Sequence, residues 1–253
     1  MGRTRGSLLA ALMLTSILAS APASGGPKKS PIAVVALIDA GINPYSSAFR
    51  DTSPLAYKHP STYIPGYPKD TPTLRLSLDI PYEKAVEQDA DVWKLVTPGT
   101  LYWIPGTRIV GAISFGAGGG NCPVVEPPPA NTLQQGCPQT PILDDHGHGT
   151  MTASRAGGSP SSLAPAARIV EIEGLGSKGV RWAADQGWID VQSNSWLSLV
   201  PPPFDGLVGS TSEAFEYAAT KMLTIAASGN GTAYLAGFAP TPTYLLSTAA
   251  PGV

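Results

Sequence analysis

An α/β fold built on a mostly parallel central sheet, with helices on both faces, is what this sequence predicts. Three observations carry that expectation. The stretch "PIAVVALIDAGIN" is apolar without alternation, the pattern of a parallel strand buried on both faces. From His148 onward, helix-length and strand-length segments alternate regularly, as they do in βαβ units. Finally, 28 glycines and 26 prolines among 253 residues, with only 13% charged, fit a loop-rich globular chain better than a helical bundle.

The first residues stand apart from that fold. Arg3 and Arg5 precede "LLAALMLTSILA" and then "SAPAS", which together read as a secretory signal over residues 1–23, cut after Ala23. A buried core helix or an uncleaved anchor fits the short apolar length and the flanks less well. The expected location is extracellular, with no stable membrane association after cleavage. Residues 1–23 are therefore left out of the fold, which concerns residues 24–253.

Within it, the first strand ends at Asp39, and open α/β sheets place their sites at the carboxyl ends of strands. Residues 51–105 are Pro-rich and irregular, with a helix expected over "YEKAVEQDADVWKLV", and read as a surface insertion. "TRIVGAISF" resumes the strand pattern, and "HGTMTASRAG" can start a helix. The order then runs "ARIVEIEG" strand, "GVRWAADQG" helix, "IDVQSNSW" strand, "TSEAFEYAATK" helix and "MLTIAAS" strand, ending at "GNG". No internal repeat is present at a period of 20–50 residues.

A net charge of -2 gives no electrostatic footprint for nucleic acid. The two cysteines, Cys122 and Cys137, share one loop-like segment, and export to an oxidising compartment favours a disulfide between them. Closing a loop of that length is worth about 3 kcal/mol.

Two of the three histidines fall in "DDHGHGTMTAS", one residue apart. With Asp39 upstream and Asn230 downstream, His148 completes three of the four parts of an acyl-transfer site: an orienting carboxylate, an imidazole base and an amide donor for an oxyanion. Other readings exist for each part. Asn230 in "SGNGT" also suits a left-handed turn. His146 and His148 with Asp144 and Asp145 could bind a metal, but no third ligand sits at an obvious spacing, so no metal and no cofactor are expected.

In setting as well as order, these segments resemble the subtilisin-like serine proteases. "VVALIDAGI" resembles that family's aspartate segment and "GHGTMTAS" its histidine segment. "LAPAARIVEIEG" resembles the strand that follows, and "IAASGNGT" the oxyanion-hole segment. "AADQGWIDVQSNSW" resembles the helix and strand whose edge pairs with substrate backbone. The resemblance covers most of residues 32–49 and 106–253 and leaves residues 51–105 outside. It implies a three-layer fold and a secreted endopeptidase acting on polypeptides through an acyl-enzyme. Asp39, His148 and Asn230 would serve catalysis, and Ser195, Trp196, Leu197, Ser228 and Gly229 would border the substrate. Trp196 suits core packing equally well.

The departures are specific. Ala40 stands where a hydroxyl residue usually follows the aspartate, which would loosen the hydrogen bonding around Asp39. About a dozen residues separate the cleavage point from the first strand, too few for the propeptide of secreted members. No Gly-Thr-Ser-x-Ala follows Asn230, so the serine, and the C-terminal part of the fold with it, are expected beyond residue 253. "GSTSEAF" contains Thr-Ser-x-Ala but precedes Asn230, and Ser210 to Glu213 reads as a helix capping box, which leaves Ser212 without a catalytic role. The rival expectation is a catalytically inactive subtilase-like module that binds peptides or partners.

Overall fold

The computed structural model describes residues 32–115, 142–144, 147–158, 161–196 and 210–227. Five strands form one sheet: β1 Val34–Asp39, β2 Ile109–Ser114, β3 Arg168–Glu173, β4 Val191–Asn194 and β5 Leu223–Ala226. All neighbouring pairs are parallel, in the order β2-β3-β1-β4-β5. The helices are α1 Tyr82–Gln88, α2 Ala90–Trp93, α3 His148–Ala153, α4 Ser177–Asp185 and α5 Ser210–Ala219. The strands expected from the sequence in the described residues are present, as are the helices expected from His148 onward. α5 starts at Ser210 itself, one residue earlier than a cap at that position implies, which is within the usual fraying of helix ends.

β1 is central because both of its faces are apolar. Val34, Ala36 and Ile38 share one core with Val180, Ala183 and Ala184 of α4 and Ala214, Phe215 and Ala218 of α5. Leu37 belongs to a second core, with Ile42, Phe49, Ile142, Ala153 and Ile169. Helices therefore cover the sheet on both sides, α4 and α5 against one face and α3 with α1 and α2 against the other. In α4 the buried positions Gly179, Val180, Ala183 and Ala184 recur at helical spacing, which makes that helix amphipathic. β2 keeps its apolar residues on both faces by a different device. A register shift between Ile109 and Gly111 breaks strict alternation, so Ile109 and Ala112 join one core while Val110 and Ile113 join the other.

The segment over residues 51–105 is more than a surface insertion. Ile64 and Tyr67 pack into the first core, while Leu74, Ala85, Trp93, Val96 and Ile104 fill much of the second. It also covers β2, the edge strand: Tyr102 exchanges both backbone hydrogen bonds with Ala112, at 2.9 and 2.7 Å, and the Tyr67 hydroxyl donates to the Val110 carbonyl at 2.6 Å. An uncovered edge would template pairing with other chains. A buried ion pair between Asp51 and Arg168 fastens the start of the segment to β3.

The single helix expected over "YEKAVEQDADVWKLV" is instead two, broken at Asp89. That carboxylate is buried and accepts from the Ser77 amide at 2.7 Å, the Ser77 hydroxyl at 2.7 Å and the Tyr45 hydroxyl at 2.8 Å. Three partners outside the helix outweigh one continuous helical ladder. Among the described residues no helix is long and apolar enough to cross a membrane.

Candidate active site

The strand order fixes where a site can form. From β1 the chain moves to one side to build β2 and β3, then crosses to the other side for β4 and β5. The reversal lies beside β1, and in open parallel sheets ligands bind outside the carboxyl ends of the strands at such a switch point. Asp39 is the last residue of β1.

Two glycines bring the histidine to that aspartate. Gly41 adopts φ +108°, and a β-carbon there would lie 2.6 Å from the Ile142 carbonyl oxygen. Gly149 crosses directly over it: a β-carbon on Gly149 would lie 2.0 Å from the Gly41 oxygen and 3.3 Å from the β-carbon of Asp39. Only two bare backbones approach this closely. The contact docks the first turn of α3 on the end of β1.

That turn is itself held from outside. Asp144 accepts the Gly147 amide and the Thr150 amide, each at 2.7 Å, which satisfies donors that a helix start leaves open. Gly147 supplies the left-handed φ of +78° ahead of His148. The Thr150 hydroxyl accepts the Asn43 amide at 2.9 Å and ties α3 to the loop after β1. Two residues ahead of Asp144, fully buried Ile142 is held at φ +79°. A β-branched side chain rarely adopts that conformation, and strain of this kind gathers at functional sites.

The outcome is a close pair. His148 Nδ1 lies 2.6 Å from Asp39 Oδ1, across 109 residues of sequence. The aspartate side chain is 3% exposed and the imidazole 47%. Asp39 Oδ1 also accepts the Ala40 amide at 2.8 Å, and Oδ2 accepts the Thr152 hydroxyl at 3.0 Å. Facing a carboxylate, Nδ1 carries the proton, which leaves the lone pair on Nε2. An imidazole so arranged can take a proton from a nucleophile, while the buried carboxylate stabilises the cation that forms. The hydroxyl missing at Ala40 does not leave Asp39 short of donors, because the Ala40 amide and Thr152 supply them.

Around this pair the carboxyl ends of the strands are acidic. Glu173 sits beside Asp39 in the register and accepts the Ser114 hydroxyl from β2. Glu171 sits beside Leu37, two residues back on the same face, and is 0% exposed. Neither Glu171 oxygen has a hydrogen-bond partner of good geometry among the described residues. Burial, with Asp39 and Asp144 nearby, pushes this carboxyl well above the usual range, against a smaller opposing effect of the Gly41 amide. On the outer side of α3 an open hollow of about 440 Å³ is lined by Ser46, Gly147, Thr150, Met151, Ser154 and Arg155.

No protein-family model, curated protein or solved structure matches the chain.

Of the residues singled out in the sequence, the structure brings Asp39 and His148 together. Ser195 follows β4 and is half-buried, while Trp196 is 8% exposed and packs on Phe215 with ring centroids 5.8 Å apart, within the core. Asn230, Leu197, Ser228, Gly229, Cys122, Cys137, Asp145, His146 and residues 1–23 lie outside the described residues. No group of three or more metal-ligating side chains occurs among the described residues. Sequence reasoning missed Thr152, Glu171 and the capping role of Asp144. Thr152 had a signal, since a residue four after His148 shares its helix face. Glu171 had none, because only strand register places it near Asp39.

Proposed function

We propose that this chain carries the aspartate–histidine half of a subtilisin-like serine endopeptidase, which hydrolyses peptide bonds through an acyl-enzyme. The observation that supports this most is the 2.6 Å contact between a buried Asp39 and a half-exposed His148 at the switch point of a parallel sheet. In that reading His148 takes the proton of a serine hydroxyl as it attacks the substrate carbonyl, then returns it to the leaving amine. Asp39 holds the ring in the Nδ1–H tautomer and stabilises its protonated form.

Asn230 would donate to the oxyanion. β4 separates β5 from β1, which puts β5 about 10 Å away by ordinary strand spacing. Ala227, just past β5, donates to the Asn194 carbonyl, and the three further residues to Asn230 span up to about 10 Å. The serine is the residue expected downstream of Asn230, and the substrate is an extended polypeptide. Secretion, the signal over residues 1–23 and the Cys122–Cys137 disulfide belong to the same proposal.

The test is covalent labelling of the natural gene product with a serine-directed phosphonate probe. Labelling that maps to a serine downstream of Asn230, and falls at least 100-fold in the H148A variant, is the expected result. Absence of labelling in folded protein would remove the peptidase reading. If such protein still bound peptides, the inactive binding module would take its place.

A further inference from the structure

Among the described residues, Glu171 is a buried carboxyl in an unfavourable setting. A carboxyl with no exposed surface and no hydrogen-bond partner of good geometry among the described residues should be costly, and native structures keep few such groups. Its surroundings are also the wrong sign for an anion. The titratable groups that bear on it are Asp39 at the end of β1, Asp144 ahead of α3 and Glu173 two residues on in β3. From β2, the residue beside it is neutral Ala112. By contrast, three donors converge on Asp39: the Ala40 amide, the His148 ring and the Thr152 hydroxyl. Two carboxyls on one sheet face have been given opposite environments: Asp39 is equipped as an acceptor, while Glu171 feels only the smaller opposing effect of the Gly41 amide. Where like charges crowd a buried site, one of the groups keeps its proton.

We propose that Glu171 works as a protonated carboxylic acid behind Asp39, a positioning residue that leaves the negative charge of the pair on the aspartate touching His148. This rests on the reading of Asp39 and His148 as a catalytic pair, but its central claim concerns proton occupancy and needs no turnover to test. The role follows from electrostatics. A second buried negative charge beside Asp39 would hold the imidazolium too tightly and leave less neutral imidazole to act as a base. It would also push apart the strand ends that carry the site. The neutral acid avoids both effects up to the pH at which it ionises, and above that pH the site has a built-in alkaline limit.

The linkage has a definite sign. A carboxyl whose folded midpoint lies above its unfolded one favours the folded state most at low pH. That contribution is complete below the ordinary glutamate range and is lost as pH rises to the folded midpoint. Removing the titration should therefore help most at high pH.

The experiment is a carboxyl-carbon NMR titration of the full chain labelled in glutamate, with the Glu171 resonance assigned by its loss in E171Q. Wild-type Glu171 is expected to be protonated at pH 7, and its midpoint is expected to fall in D39N, where one neighbouring negative charge is gone. The His148 imidazole, followed in the same samples, should keep its midpoint in E171Q, because it then loses no charge from behind Asp39. Thermal unfolding adds a readout that survives failure of any NMR assignment: the melting temperature of E171Q should exceed that of wild type by a margin that widens with pH. An ionised Glu171 at pH 7, a Glu171 midpoint unmoved by D39N, or a lowered His148 midpoint in E171Q would each overturn the proposal. A melting-temperature margin that stays flat with pH would do the same. None of these outcomes depends on whether the protein cleaves peptides, so failure here and failure of the peptidase reading are separable.

Discussion

At Gly149 the space for a side chain is nil, since the Gly41 oxygen already occupies it and the Asp39 β-carbon stands just beyond. A methyl there can be accommodated only by lifting α3 off the end of β1, which lengthens the 2.6 Å contact between His148 and Asp39. G149A should therefore cost about 1–3 kcal/mol as an overpacking change, despite alanine's better helix propensity. Urea unfolding measures that loss. A variant as stable as wild type would show that the crossing leaves room for a methyl and does not set the pair. Asp39 and His148 were legible in the sequence because each lies in a local pattern, an apolar strand running into Asp-Ala-Gly and a His-Gly-Thr turn. Glu171 was hidden for the opposite reason. Inside "RIVEIE" it looks like an ordinary polar position of an exposed strand, and only the pairing of β3 with β1 makes it a neighbour of Asp39.

Helix interruption shows the same limit one level up. The periodic run from Tyr82 to Val96 gives no internal reason to break, and the sequence supports one helix. The break comes from Asp89, whose partners Tyr45 and Ser77 lie 44 and 12 residues away. The Trp93 ring nitrogen then donates to the same Tyr45 hydroxyl at 2.9 Å, so one buried network pins α1, α2 and the loop after β1. D89A leaves the Ser77 amide and the Tyr45 hydroxyl without their acceptor, at roughly 1–3 kcal/mol for each buried group. Hydrogen exchange should show faster opening of α1 and α2 in D89A, while β1 and β3 exchange as before. Uniform protection across both helices would mean that the network is not what holds them. D89N, which keeps one acceptor oxygen, is expected to fall between the two.

For the molecule as a whole, alternating helices and strands announced a parallel sheet, but neither the strand order nor the role of residues 51–105 could be read from one-dimensional patterns. That segment has the look of an insertion because its prolines suppress periodicity, yet it caps the β2 edge and fills much of one core. Its anchor is the Asp51–Arg168 pair, with Arg168 also lying 5.8 Å from the Tyr63 ring. Burial alone would push the Asp51 carboxyl up, but Arg168 and Ser53 outweigh it and hold it below the usual range. Stability from a depressed carboxyl is complete above the ordinary aspartate range and disappears as pH falls through the folded midpoint. R168M should accordingly lose about 3–5 kcal/mol at pH 7, the cost of leaving one member of a buried pair alone. The gap to wild type should narrow in acid, where Asp51 is neutral in both. Denaturant midpoints at pH 7 and in acid measure it, and a pH-independent gap would rule out the ion pair as the anchor.

The central place of β1 has a consequence in time. It is the first of the described strands to leave the ribosome, but its neighbour β3 begins 134 residues later, at Arg168 beside Val34, and β4 follows later still. At about 5–20 residues per second, that is a wait of roughly 7–27 s with a bare apolar strand and nothing to zip against. Transiently exposed apolar strands of this kind are prone to aggregate, whatever the stability of the finished fold. Asp39 likewise waits for His148, which follows it by 109 residues, so no fragment that ends before α3 carries the pair.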